Sequence, residues 1–171
     1  MMKRMVFTTT VALCFASLAF AEKPAPQMTI GNGVDNAITV DGLVRIEGSP
    51  TFSEVRVDGG EIMSRRANST SLVFPEVKIA EPGWLVLHPV MDGKPNGDVV
   101  SGFTYVDAGT TADVKLPLNY PAKTGNAFIV MLHTDVDRDK VFDFVFVDDT
   151  HVEDKAVFEG TKMIAHIITV P

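Results

Sequence analysis

The sequence predicts an all-β chain, an antiparallel immunoglobulin-like β-sandwich of about 8–9 strands. Three observations carry that prediction. Short runs rich in Val, Ile, Thr and aromatic residues recur between clusters of Gly, Pro, Asn and Asp, the spacing expected of sandwich strands. No window sustains the three- and four-residue apolar steps of a long helix. Clean period-two alternation appears in Thr111 to Leu118 and in Phe142, Phe144 and Phe146, which as strands place one set of side chains on one sheet face.

The first residues are processing signal rather than fold. In residues 1–21, Lys3 and Arg4 form a basic start and Met5 to Phe20 an apolar core. Ala19-Phe20-Ala21 is a small-x-small cleavage site, the anatomy of a secretory signal peptide. The apolar run falls short of the roughly 20 residues of a membrane-spanning helix, and nothing later resembles one, so no membrane span is expected after cleavage. Cys14 does not fit a lipoprotein site, because Leu13 before it is large and apolar residues continue beyond it. It is the only cysteine, so a mature chain holds neither disulfide nor thiolate ligand. Cleavage also removes two positive charges and takes the formal charge from −7 to −9. That acidic balance argues against nucleic acid or anionic lipid as partner. About 150 remaining residues suit one domain with an adequate core.

Residues 22–27, EKPAPQ, read as an extended tether, and residues 28–171 as a single β-sandwich domain. Ile38 to Ile46 is a first strand run, broken by Asp41-Gly42. Phe52 to Val57 is a second, ended by the turn signal Asp58-Gly59-Gly60. Ser71 to Ile79 follows, with Pro75 arguing for an edge position or a bulge. Glu81-Pro82-Gly83 turns the chain into Trp84 to Val90, and the breaker-rich Met91 to Asp98 forms a loop. Val99 to Val106 and Thr111 to Leu118 are joined by Asp107-Ala108-Gly109. In the latter, Ala112, Val114, Leu116 and Leu118 are expected to point inward and Thr111, Asp113 and Lys115 outward.

Ala127 to Val147 is the most informative stretch. Phe128 to Leu132 enters an acidic turn and the alternating phenylalanines leave it, which reads as a β-hairpin. The loop of about seven residues is slightly longer than the commonest hairpin loops. Asp148 to Asp154 is an acidic loop, and Lys162 to Val170 a closing strand. Trp84, Phe103, Phe128 and the phenylalanine ladder are the expected core, with Val114 and Phe144 inside it. Phe144→Ala is expected to cost about 3–5 kcal/mol.

Six segments carry a resemblance. They are GWLVLH (Gly83 to His88), KPNG (Lys94 to Gly97), GFTYVDAG (Gly102 to Gly109), VKLPL (Val114 to Leu118), MLHTD (Met131 to Asp135) and FDF (Phe142 to Phe144). In that order, over roughly Leu72 to Val170, the chain resembles an uncharacterised family of exported archaeal and bacterial β-sandwich domains, a domain of unknown function. The lengthened turn DVDRDK and the segment FVFVDDTHVED depart from the family pattern. The resemblance implies a fold and a location outside the cytoplasm, not a reaction.

Two constellations could hold a metal. His88, His133 and His166 stand near strand ends, and Met131 lies two residues from His133. Imidazole and thioether ligands suit copper or zinc. The plainer reading is three separate structural histidines, since no pair has the short local spacing of a helical or zinc-knuckle site. Asp135, Asp137 and Asp139 alternate through the turn, a spacing that can wrap oxygens round Ca²⁺. Here Lys140 stands where a Ca²⁺ loop usually has glycine and Phe146 where it has a bidentate Glu. Arg138 and Lys140 are expected to neutralise the aspartates. The turn is therefore expected to be a solvated tip, with any Ca²⁺ affinity no better than about millimolar.

Nucleophile elbow, phosphate loop, haem-attachment motif and H-E-x-x-H are all missing. The Asn68-Ser69-Thr70 sequon matters only where exported proteins are glycosylated. The sequence thus predicts an exported, periplasmic or extracellular, non-enzymatic binding or cell-envelope structural module. It needs no cofactor, and envelope components are its expected partners. The alternative is a metal-handling protein using the His and Met residues for copper or zinc.

Overall fold

The computed structural model describes residues 27–47, 51–56, 62–67, 70–143 and 154–171, with the backbone alone at 51–56 and 62–67. The signal segment, most of the tether, the Asp58-Gly59-Gly60 turn, Asn68-Ser69 of the sequon, Phe144, Phe146 and residues 148–153 lie outside them. The chain is all-β. Its first half forms β1 (Thr29–Ile30), β2 (Ala37–Thr39), β3 (Val44–Glu47), β4 (Thr51–Arg56), β5 (Ile62–Ala67) and β6 (Thr70–Ile79). Next come β7 (Gly83–Met91), β8 (Lys94–Pro95), β9 (Gly102–Val106), β10 (Gly109–Pro117) and β11 (Ala127–Thr134). β12 (Phe158–Glu159), β13 (Lys162–Met163) and β14 (Ala165–Thr169) follow. Among the described residues no helix is long and apolar enough to cross a membrane.

Two antiparallel sheets form the sandwich. In the first, β6 runs down the middle, with β10 on one side and β2 and β3 sharing the other. In the second the order is β14-β11-β7, with β9 beyond β7 and β8 folded back on its end. Leu72, Phe74 and Leu116 from the first sheet meet Leu85, Leu87, Phe128, Val130 and Leu132 from the second in one buried cluster. Each such fully buried side chain contributes roughly 1.5–3 kcal/mol. Among the described residues β4 and β5 pair with each other and with no other strand.

The second sheet is buried on both faces, which is uncommon for an antiparallel sheet. Its outer face carries Trp84, Val86, Ile129, Met131 and Ala165, and Phe142 packs over them. Phe103 stacks on Phe142 at 4.6 Å between ring centroids, and Trp84 meets Phe103, Tyr105 and Phe142 at 5.7, 5.1 and 5.4 Å. Gly83 lets β11 close against β7, since a Cβ there would lie 2.1 Å from the His133 carbonyl oxygen.

Three expectations are corrected. The central hairpin does not form, because both edges of β11 are already taken. β7 pairs with Phe128–Thr134 on one side. On the other, β14 pairs with Ala127–Met131, and residues 155–157 continue along the strand end. Pro75 does not mark an edge. It sits in the middle strand, at the gap between β2 and β3 and in the break of the β10 ladder opposite Asp113. A missing N–H costs nothing where no partner awaits it. Ala112 is exposed, whereas Val114, Leu116 and Leu118 are buried as expected. Asp113 has φ +52°, and that left-handed residue breaks the pleat and restarts the alternation after it.

One carboxylate of β12 clasps the turn between β1 and β2. Glu159 accepts from the backbone N–H of Val34, Asp35 and Asn36 at 2.6, 3.0 and 2.8 Å, and from Asn36 Nδ2 at 3.0 Å. These donors, the Val34 amide foremost, bring its pKa down to about 2. Glu159→Ala is expected to speed hydrogen exchange at the Val34–Asn36 amides while leaving the β6–β10 ladder protected. Unchanged protection at those three amides would show that the segment is held by something else.

Candidate functional site

Strand register brings two of the expected histidines together. β7 and β11 are adjacent and antiparallel, with Trp84 opposite His133, Val86 opposite Met131 and His88 opposite Ile129. All six positions share the outer face. The imidazoles of His88 and His133 meet along the diagonal with ring centroids 5.7 Å apart. Both are buried, at 0% and 1% exposure. The Nδ1–H of His88 donates to the Val99 carbonyl and that of His133 to the Asp154 carbonyl, each at 2.9 Å. Burial lowers both pKa values, that of His133 to about 4, so both rings are neutral at pH 7. Met131 belongs to the apolar layer beside them.

His166 is not a member of this pair. It stands opposite Val130, one residue out of step with Met131, and so faces the other way. Its Nε2–H donates to Asn32 Oδ1 at 2.7 Å. Neighbouring Ala165, opposite Met131, lies on the outer face instead.

The acidic turn follows directly on His133. One oxygen from each of Asp135, Asp137 and Asp139 lies within 4.8 Å of the other two. Asp137 and Asp139 are exposed, but Asp135 is only 4% exposed, which corrects the expectation of a wholly solvated tip. Its Oδ2 accepts from the Lys140 amide at 3.2 Å. Its Oδ1 is buried without a hydrogen-bond partner. Burial raises its pKa, opposed chiefly by the Lys140 amide; the Arg138 amide acts on the same carboxylate without closing a bond of normal geometry. Asp137 accepts from the Asp139 amide at 3.2 Å and Asp139 from the Val141 amide at 2.6 Å.

The two cations of the turn do not neutralise these carboxylates. Arg138 pairs with Glu81 at 2.7 Å. Lys140 points toward Asp107 at 3.9 Å and lies 4.6 Å from the centre of the Tyr105 ring. Asp135 also lines a recess of about 200 Å³ with Glu81, Thr134, Val136 and Arg138. A larger recess of about 350 Å³, between the Asp41-Gly42 turn and β14, has Asp41 as its one ionisable side chain.

Asp154 had no signal in the sequence beyond its acidic neighbourhood. It is 1% exposed and accepts from the amides of Val136 and Asp143 at 3.4 and 2.8 Å, which ties the strand after residue 153 to the turn. Burial pushes its pKa up to about 6. Glu81 and Asp107 were equally silent, since each lies in a turn far from residue 140 in sequence.

Residues 61–169 match DUF7282, a domain of unknown function. The chain belongs to this family. DUF7282 covers β5 to β14 here, including both sheets' middle strands and every residue of the two constellations above. Among curated proteins, the chain is 25% identical over 92 residues to cell surface glycoprotein 1 of Haloarcula hispanica. It is 25% identical over 83 residues to cell surface glycoprotein 2 of the same organism. These stretches take in 54% and 48% of this chain but only 10% and 9% of the glycoproteins, so the chain spans about a tenth of the length of the relatives it matches. No solved structure matches.

Proposed function

We propose that this DUF7282 chain is an exported, non-enzymatic module of the cell envelope, a β-sandwich presented at the cell surface. The similarity to the two cell surface glycoproteins carries this reading. The acidic composition and the secretory pattern of residues 1–21 support it. The two buried histidines fit a structural role, since His133 packs against Phe142 and both rings bond to backbone carbonyls. Envelope components are the proposed partners.

Fractionation of source cells, followed by protease treatment of intact cells, tests it. The chain is expected in the envelope or medium and cleaved by added protease. A protease-protected cytoplasmic pool would refute the reading. Turnover in a hydrolase and oxidoreductase screen, lost on changing one residue, would refute its non-enzymatic character. Metal analysis of untagged protein addresses the copper or zinc alternative, for which His88 and His133 are the histidines that converge among the described residues.

A further inference from the structure

We propose that the turn from Asp135 to Val141 is a Ca²⁺ site with the carboxylates of Asp135, Asp137 and Asp139 as ligands. Ca²⁺ binds oxygens at about 2.3–2.6 Å, so two ligands of one ion lie at most about 5 Å apart. The three aspartates meet that limit, with oxygens within 4.8 Å of one another. The backbone carbonyl of Val141 falls at the seventh position of the loop, the place from which Ca²⁺ loops commonly supply a main-chain ligand.

Carboxylates crowd together on many protein surfaces without binding anything, so the spacing alone decides little. The buried member decides. Asp135 is 4% exposed and its Oδ1 has neither solvent nor a hydrogen-bond donor among the described residues. A carboxylate oxygen in that state is costly unless a cation completes its shell. The two cations of the turn itself are engaged elsewhere, Arg138 on Glu81 and Lys140 on Asp107 and Tyr105.

The lysine at the usual glycine position is not an obstacle. Lys140 adopts φ +62°, the left-handed conformation for which glycine is ordinarily chosen, at a cost of roughly 1–2 kcal/mol. Its side chain then leaves toward β9 and the turn after it. Oxygen-only ligands select a hard cation over copper or zinc. Mg²⁺ is disfavoured because it demands near-octahedral oxygens at about 2.0–2.1 Å. Two of the three carboxylates are exposed, which places the affinity with the weaker Ca²⁺ modules, Kd about 0.1–1 mM.

The test uses the full chain, CaCl2 as ligand, and two readouts. Calorimetric titration is expected to give one site per chain in that range, and Tb³⁺ is expected to show luminescence sensitised through Tyr105 and Trp84 that Ca²⁺ displaces. Asp137→Asn and Asp139→Asn, both at exposed positions, are expected to abolish both signals without lowering stability in Ca²⁺-free buffer. Asp113→Asn, on an exposed aspartate of β10, is expected to change neither. No heat up to about 10 mM Ca²⁺, or signals retained in both turn variants, would overturn the proposal. So would an equal response to Na⁺ at matched ionic strength, since that is screening rather than a site.

Discussion

Trp84→Ala is expected to cost about 3–5 kcal/mol of folding stability, the range for truncating a buried aromatic. Trp84 is 5% exposed and lies on the outer face of the second sheet, outside the main core between the sheets. Its ring contacts three other aromatic rings, and edge-to-face pairs of this kind add about 0.5–1.5 kcal/mol each beyond area burial. Removing it opens a cavity between β7, β9 and Phe142 that the backbone ladders cannot collapse to fill. Urea denaturation of the variant and the parent chain measures the effect. A loss below about 1 kcal/mol, the scale of ordinary surface changes, would mean that the outer layer is not a second core.

Acidification is expected to weaken the fold through the histidine pair. His133 titrates near 6.5 when unfolded and at about 4 when folded, because burial opposes its charge. Between those values the unfolded chain binds the proton and the folded chain does not. Stability is therefore full above pH 6.5, falls as the pH drops toward 4, and levels off below it. The shift corresponds to about 3 kcal/mol. His88, also lowered by burial, acts in the same direction. Asp154 acts in the opposite one. Its folded pKa is raised to about 6, so it favours the folded state as the pH falls through 6 toward 3.8. The His133 contribution is isolated by comparing the pH dependence of unfolding free energy in the parent chain and in His133→Gln. The variant is expected to lose most of the slope between pH 6.5 and 4. An unchanged slope would place the acid sensitivity elsewhere.

The long strands were legible because each carries enough apolar or alternating residues to declare itself. β6, β7 and β11 begin within a residue or so of where their apolar runs begin. The short strands β1, β8, β12 and β13, two residues each, had no such signal, since their pairing is imposed by distant partners. The same limit explains the hairpin error. Phe142 is buried as expected, while Phe144 and Phe146 lie outside the described residues, and pairing partners are a long-range property. β11 found β7 and β14 rather than the segment that follows it. At the candidate site, the period-two spacing of Asp135, Asp137 and Asp139 and the shared face of Met131 and His133 were both visible. The meeting of His88 with His133 depended on register, and so did the exclusion of His166. Where Arg138 and Lys140 send their charges depended on Glu81 and Asp107, which no local pattern connects to the turn.

The ends of the fold have a mechanical consequence. β1 and β13 run parallel, Thr29 beside Lys162 and Ile30 beside Met163. The Glu159 clasp on residues 34–36, the Lys162 Nζ bond to the Asn32 carbonyl and the His166 bond to Asn32 lie alongside. A pull on the chain toward its two ends would draw these parallel strands past each other lengthwise. The bonds between them would then bear the load together as shear, whereas an antiparallel terminal pair would unzip rung by rung. A handful of contacts between the first strand with the turn after it and the segment from β12 to β14 thus resists stretching out of proportion to their number.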